Sequence, residues 1–474
     1  MPESKPKNII LYVMNLPPGT VEAVRAYEAE FGGPLRIMLL RDSRVRDVKG
    51  FANTPGLDIY ETCDFSKPGK IAETLLPYQD ELLAVTCRSE QSLARFAQII
   101  PHVPYLRTPS TESLAWAADK YEMRKRLRLY EPKINPRFTL AKNNTKVERE
   151  RISQRIGFPM IVKPANMVGS LFVSVCYHED ELEQTLRTLF RRIKRAYQKD
   201  NRIESPRIVV EEYMEGEYYS VDSYVNSRGS VTHCPLVKQV TGRNIGHDDF
   251  YNYLQLTPTG LKKATVERAQ ATVEKAIHAL GLRSTLTHTE LIKIDDEWKV
   301  VEIGARMGGF RHMLHKLSCD INHALNDVLV RIPKPPVVPK KCRGYACSMK
   351  WFAAKEGKIT KMKGVKKIES LESFHRIDVN KRVGDRAIFA RNGGRSIFNL
   401  TLYNADRSKL LADIRRVEKM IEIKVATRGS GGTAAATQSS GDAAASMKKQ
   451  QATNKLAKKT KANTVSGTPS KSKN

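Results

Sequence analysis

Apolar positions in the first hundred residues come in short blocks separated by polar stretches of helical period. Asn8–Met14 and Leu35–Leu40 are apolar runs of strand length, and Thr20–Phe31 between them presents one apolar helical face. Leu82–Val85 reads as another strand, and Ser89–Ile100 as another helix. This alternation predicts a small parallel α/β sheet. Further along, His178–Lys199 and Gly260–Leu280 have helical period. Arg207–Glu212, Tyr219–Val225, Ser230–Val237, Ser284–Ile294 and Lys299–Ile303 read as strands. The proline-dense stretch Ile332–Pro339 is incompatible with regular structure and marks a connector. The resulting division is an N-terminal α/β domain over 1–108, a larger domain over 109–341, a small C-terminal α/β domain over 342–428, and a tail over 429–474. That tail is rich in Ala, Ser, Thr and Lys, buries little apolar surface, and is expected to be disordered and basic.

Within the second domain, Gly157-Phe158-Pro159-Met160-Ile161-Val162-Lys163-Pro164 reads as a buried strand that ends on a lysine. Burial of an unpaired ammonium is costly, so an anion is expected beside Lys163. The loop that follows carries Gly169 and Ser170, whose backbone N–H groups suit phosphate oxygens. Glu290 and Glu302 lie on two strands separated by the acidic turn Asp295-Asp296-Glu297. A hairpin there brings the carboxylates face to face, where they repel unless a cation or proton intervenes. Magnesium fits this pair, because it takes oxygen ligands from one or two carboxylates plus phosphates and water. Manganese is the alternative ion.

Four elements occur in order: Gly157–Ser170, Glu211-Glu212-Tyr213-Met214-Glu215-Gly216, His288-Thr289-Glu290, and Val301-Glu302-Ile303-Gly304-Ala305-Arg306-Met307-Gly308-Gly309. Together they resemble the ATP-grasp superfamily of carboxylate–amine ligases, and most of all its amino-acid ligase (dipeptide synthase) branch, over roughly Ala115–Arg331. The resemblance implies an α/β (α+β) ATP-grasp fold with an N-terminal pre-ATP-grasp lobe. It also implies ATP and magnesium as cofactors, and amide formation from a carboxylate and an amine through an acylphosphate.

Residue roles follow from the same resemblance. Asp119-Lys120-Tyr121-Glu122-Met123-Arg124 matches the D-K-x-x-M-R element, which gives Lys120 a phosphate contact alongside Lys163. Glu211, Glu212, Tyr213 and Met214 form the adenine hinge, with Glu211 taking the exocyclic amine. The acidic position that usually follows the hinge is Tyr218 here, so Glu217 is the substitute ribose contact. Glu290 and Glu302 are the metal ligands. Many relatives carry an asparagine two residues after the second glutamate, where this chain has Gly304. Arg306 stabilises the phosphorylated intermediate with its planar fork. Gly308, Gly309 and Phe310 belong to the substrate pocket, the glycines opening a helix whose N–H groups meet a carboxylate. His288, Arg311, His312 and His315 stay open between substrate contact and structure.

Composition changes this picture little. The chain has 474 residues and a formal net charge of +29. The basic excess is compatible with steering of ATP and carboxylates, and with nucleic-acid binding through the tail. Seven scattered cysteines without a C-x-x-C pair argue against a disulfide framework or structural zinc, and for a reducing, cytoplasmic setting. No apolar stretch has the length of a membrane span. Small-molecule substrates are the expected partners, and a homo-oligomer is left open. Two readings rival the ligase: another ATP-grasp chemistry, of carboxylase or nucleotide-biosynthesis type, or an inactive, nucleic-acid-associated ATP-binding protein.

Overall fold

The N-terminal apolar blocks pair as one parallel sheet in the order Ile59–Cys63, Arg36–Asp42, Ile9–Val13, Leu82–Thr86. Ile59–Cys63 is absent from the sequence reading because Tyr60, Glu61 and Thr62 interrupt any apolar run, as suits an edge strand. The helix expected over Ser89–Ile100 is shorter. A tight turn at Glu90–Ser92 precedes Leu93–Ile99, and that turn projects Glu90 away from its own lobe. The computed structural model describes residues 6–426, so the tail from residue 429 lies outside the described residues.

A four-stranded antiparallel sheet follows, in the order Phe138–Ala141, Ile208–Glu212, Met160–Pro164, Ser174–Cys176. The amphipathic helix Glu179–Lys199 buries Leu182, Leu186, Leu189 and Ile193 against it. Its basic residues lie on the opposite, solvated face.

The largest sheet runs Glu297–Gly304, Thr285–Ile294, Glu217–Val225, Val237–Thr241, Asn252–Thr257, Tyr345–Trp351, Phe398–Asn404, Phe374–Val379, with Val231–His233 added beside Glu217–Val225. Three of these strands come from beyond the proline connector. Residues after Cys342 therefore complete the central sheet, and Tyr251, Leu254 and Leu256 share one buried cluster with Cys347, Phe398 and Leu410. Only Arg386–Ala387, Gly357–Lys363 and Glu422–Ala426 form a separate small sheet.

Cys319, at the end of helix Arg311–Cys319, is joined by a disulfide to Cys342. This corrects the expectation from cysteine spacing. The partners lie far apart in the chain and meet only because the connector folds back, a proximity that no local motif announces. The other five cysteines are free and buried. Among the described residues no helix is long and apolar enough to cross a membrane.

Candidate active site

A cavity of about 240 Å³ opens between the four-stranded sheet and the largest sheet. Strand Met160–Pro164 places Lys163, its penultimate residue, at the cavity wall, and Gly169 and Ser170 of the following loop also line it. Both loop residues have positive φ, +70° and +61°, a backbone that turns sharply.

The anion expected beside Lys163 belongs to the protein. Lys163 Nζ lies 2.7 Å from Glu211 Oε2. Arg124 donates Nε and Nη2 to the two oxygens of the same carboxylate at 2.9 and 3.0 Å. Burial disfavours ionised Glu211, but Arg124 and Lys163 outweigh it and hold the carboxyl at about 2. Burial likewise pushes the Lys163 ammonium down, with Glu211 opposing. Glu211, expected to receive an adenine amine, thus has both oxygens engaged internally and does not line the cavity. Arg124 also donates to the carbonyls of Val300 and Val301 at 2.7 and 2.6 Å, so one guanidinium ties the four-stranded sheet to the hairpin that carries Glu290 and Glu302.

Lys120 begins a helix capped by the Asp119 side chain, which accepts from Tyr121 and Glu122 N–H. Its ammonium donates to Met167 O at 3.0 Å and lies 3.2 Å from Glu302. Glu302 and Glu290 are direct cross-strand partners on the hairpin of Thr285–Ile294 and Glu297–Gly304, and both line the cavity. Two oxygen donors in register on one face form a donor set that suits a hard divalent cation. Burial works against ionised Glu290, yet His288, Arg306 and Arg311 hold it at about 2. His288 Nε2 lies 3.5 Å from Glu290, and its Nδ1 is 3.1 Å from Asp222.

Arg306 lines the cavity and pairs closely with Glu90, delivered by the tight turn of the N-terminal lobe. That contact accounts for Gly304: a Cβ there would sit 2.9 Å from Glu90 Oε2. Glu90 occupies the space that an asparagine side chain would need. Gly308 N–H is taken by Asp222 at 2.8 Å, so it does not face a substrate carboxylate. Its lack of a side chain serves close approach, since a Cβ would meet the His288 ring at 2.4 Å. Gly309 does line the cavity, and Phe310 lines an adjoining one.

Strand alternation moves one further expectation. Tyr218 faces the cavity, which places Glu217 on the opposite side of the same strand, exposed and bonded to Lys238 Nζ at 2.8 Å and Tyr219 OH at 3.2 Å. Tyr213 packs edge-on against Phe250, a cavity residue, at 6.5 Å between ring centroids. Glu212 pairs with exposed Arg137, and Met214 follows in the non-strand segment that leads to Glu217.

Four functional candidates received no role from the sequence. Arg124 closes the D-K-x-x-M-R element but nothing local assigns it a partner, Glu90 sits in the other lobe, and Asp222 is one buried strand residue among many. Lys350, in strand Tyr345–Trp351, follows no motif yet lines the cavity. Behind the site, Tyr224 OH, His323, His315 and the Pro235 carbonyl form a hydrogen-bonded chain at 2.6, 2.8 and 3.1 Å. It satisfies both buried imidazoles without a ligand.

Residues 156–313 match the family model described as an ATP-grasp domain. No curated protein matches the sequence. Among solved structures, the L-amino acid ligase from Bacillus licheniformis is similar at a TM-score of 0.71 and 18% identity, covering 89% of this chain and 100% of that one. A carboxyaminoimidazole ribonucleotide synthase from Aspergillus clavatus complexed with ATP gives 0.62 at 14% identity, covering 87% and 99%. The biotin carboxylase domain of the Hydrogenobacter thermophilus 2-oxoglutarate carboxylase, in complex with magnesium-ADP, gives 0.58 at 14% identity, covering 88% and 90%.

Proposed function

We propose that this chain, whose residues 156–313 match an ATP-grasp domain, is an ATP- and magnesium-dependent ligase that joins a carboxylate to an amine through an acylphosphate, on amino-acid-like substrates. The observation that carries this reading is the in-register pair Glu290 and Glu302, facing a cavity also lined by Lys120, Lys163 and Arg306. Glu290 and Glu302 would hold the metal, which when bound neutralises developing phosphoryl charge.

Lys120 and Lys163 supply two cations from separate segments to the phosphates, and the Gly169–Ser170 backbone closes over them. Glu211 orients Lys163 from behind; the hinge contacts to adenine fall to the backbone around Glu212 and Met214, beside Tyr213. Arg306, steadied by Glu90, presents its fork to the group in transfer. Positioning and electrostatics suffice, and no side-chain nucleophile is needed. Domain limits at 1–108, 109–341 and 342–428 follow the same plan, the third sharing the sheet of the second.

The test is phosphate release from magnesium-ATP with pools of amino acids, and mass detection of the amide. Release that needs both a carboxylate and an amine is expected, and Glu302→Gln abolishes it. Release with bicarbonate alone moves the reading to carboxylase-type chemistry. Full ligase activity in Glu302→Gln overturns the metal assignment.

A further inference from the structure

A second cavity of about 420 Å³ adjoins the first and shares Gly169, Ser170, Asn252 and Lys350 with it. Its own lining comes from the chain beyond the proline connector, through Arg395, Ser396, Asn399 and Asn380, and includes Phe310. No Asp or Glu lines it. The first cavity differs in holding two carboxylates, Glu290 and Glu302, among its cations Lys120, Lys163, Arg306 and Arg311. The largest sheet therefore carries a gradient on one face. Acids sit on its first two strands, and cations and amides on Tyr345–Trp351 and Phe398–Asn404, where Lys350 and Asn399 are direct partners.

Lys350 stands where the cavities join. Its ammonium has neither an ion pair nor a hydrogen bond among the described residues, and lies 5.3 Å from the centroid of the Phe310 ring. Burial and nearby Arg311 push its pKa down, with the Glu290 carboxylate opposing. A ring face compensates an enclosed ammonium only in part. Arg395 is exposed and likewise without an ion pair. Two unpaired cations and three carboxamides around an acid-free cavity form a receptor for negative charge.

We propose that this chamber holds a second anionic group of the substrate, so that the ligase acts on dicarboxylic amino acids: one carboxyl reaches the metal glutamates while the other is held between Lys350 and Arg395. The inference rests on the ligase reading above and names its substrate class. Lys350 and Arg395 act here as specificity-determining residues, and no bond changes at this carboxyl.

The test compares isosteric pairs, L-glutamate with L-glutamine and L-aspartate with L-asparagine, by calorimetry in the presence of magnesium and a non-hydrolysable ATP analogue. At least one acid is expected to bind about tenfold or more tighter than its amide, since a charge-assisted hydrogen bond contributes about 1.5–3 kcal/mol. That preference falls about tenfold in Lys350→Met, which keeps the aliphatic stem, and in Arg395→Gln on the exposed rim. Equal affinity for acid and amide, binding of neither pair, or a preference that survives in both variants overturns the proposal. The thermal shift with the nucleotide analogue alone, read in parallel, separates the two levels. Loss of that shift removes the ATP-grasp reading, whereas a normal shift without acid preference removes only this one.

Discussion

At the residue scale the decisive group is Glu211. The sequence placed an anion beside Lys163 on the cost of burying an ammonium, and that physical expectation stands with the carboxylate supplied from the neighbouring strand. What a linear reading lacked was the pairing of Arg124, legible only as the end of a motif, with Glu211 across 87 positions. Glu211→Gln leaves two buried cations sharing a neutral amide. Removing one partner of a buried pair costs about 3–5 kcal/mol, a large share of a typical 5–15 kcal/mol stability. The variant is therefore expected to melt well below the parent, and its magnesium-ATP stabilisation to weaken as Lys163 loses its orientation. The folded carboxyl sits at about 2, below its ordinary 4.5. Its contribution is thus fully present above pH 4.5 and is lost as pH falls toward 2. Denaturant unfolding across that interval should be steeper in pH for the parent than for Glu211→Gln. Matching pH dependence in the two proteins would place the stabilising charge elsewhere.

At the element scale the period-2 pattern did most of the work. The hairpin, its acidic turn and the opposition of Glu290 with Glu302 were all legible, because an interrupted pair of apolar runs fixes register. The same alternation dismisses Glu217, since only Tyr218 can share the cavity face. Gly304 shows where element-level reading stops, because its size answers to Glu90 on another lobe. Gly304→Asn restores the asparagine common in relatives but drives its Cβ into the Glu90 carboxylate. Displacing Glu90 parts a largely buried ion pair, so the melting temperature should fall, while Arg306 loses its partner and kcat falls about tenfold, the worth of one charge-assisted hydrogen bond. Glu90→Ala alone should lower kcat by a similar factor, and the double variant should be no worse than either single one, since both act on one contact. Fully additive losses in steady-state kinetics would show that Arg306 does not transmit the effect.

At the scale of the whole molecule, the proline connector suggested a C-terminal piece that could stand apart, and composition cannot reveal otherwise. Strand pairing decides it. Asn252–Thr257 bonds directly to Tyr345–Trp351, which in turn carries Phe398–Asn404. A chain ended at Lys341 would expose Asn252–Thr257 as a new sheet edge, a template for aggregation. It would also lose the fully buried Met349, Phe398, Leu400, Leu402 and Leu410 from the cluster that covers Tyr251, Leu254 and Leu256. Each such side chain contributes roughly 1.5–3 kcal/mol on burial, so five of them match or exceed the net stability of an ordinary domain. The fragment 1–341 is therefore expected to aggregate or to melt without a cooperative transition, and to show no shift with magnesium-ATP. Calorimetry on the purified fragment checks this. A sharp transition with a normal nucleotide shift would mean that the acid end of the sheet folds and binds unaided, and that the cation-lined end is an attachment rather than part of the same site.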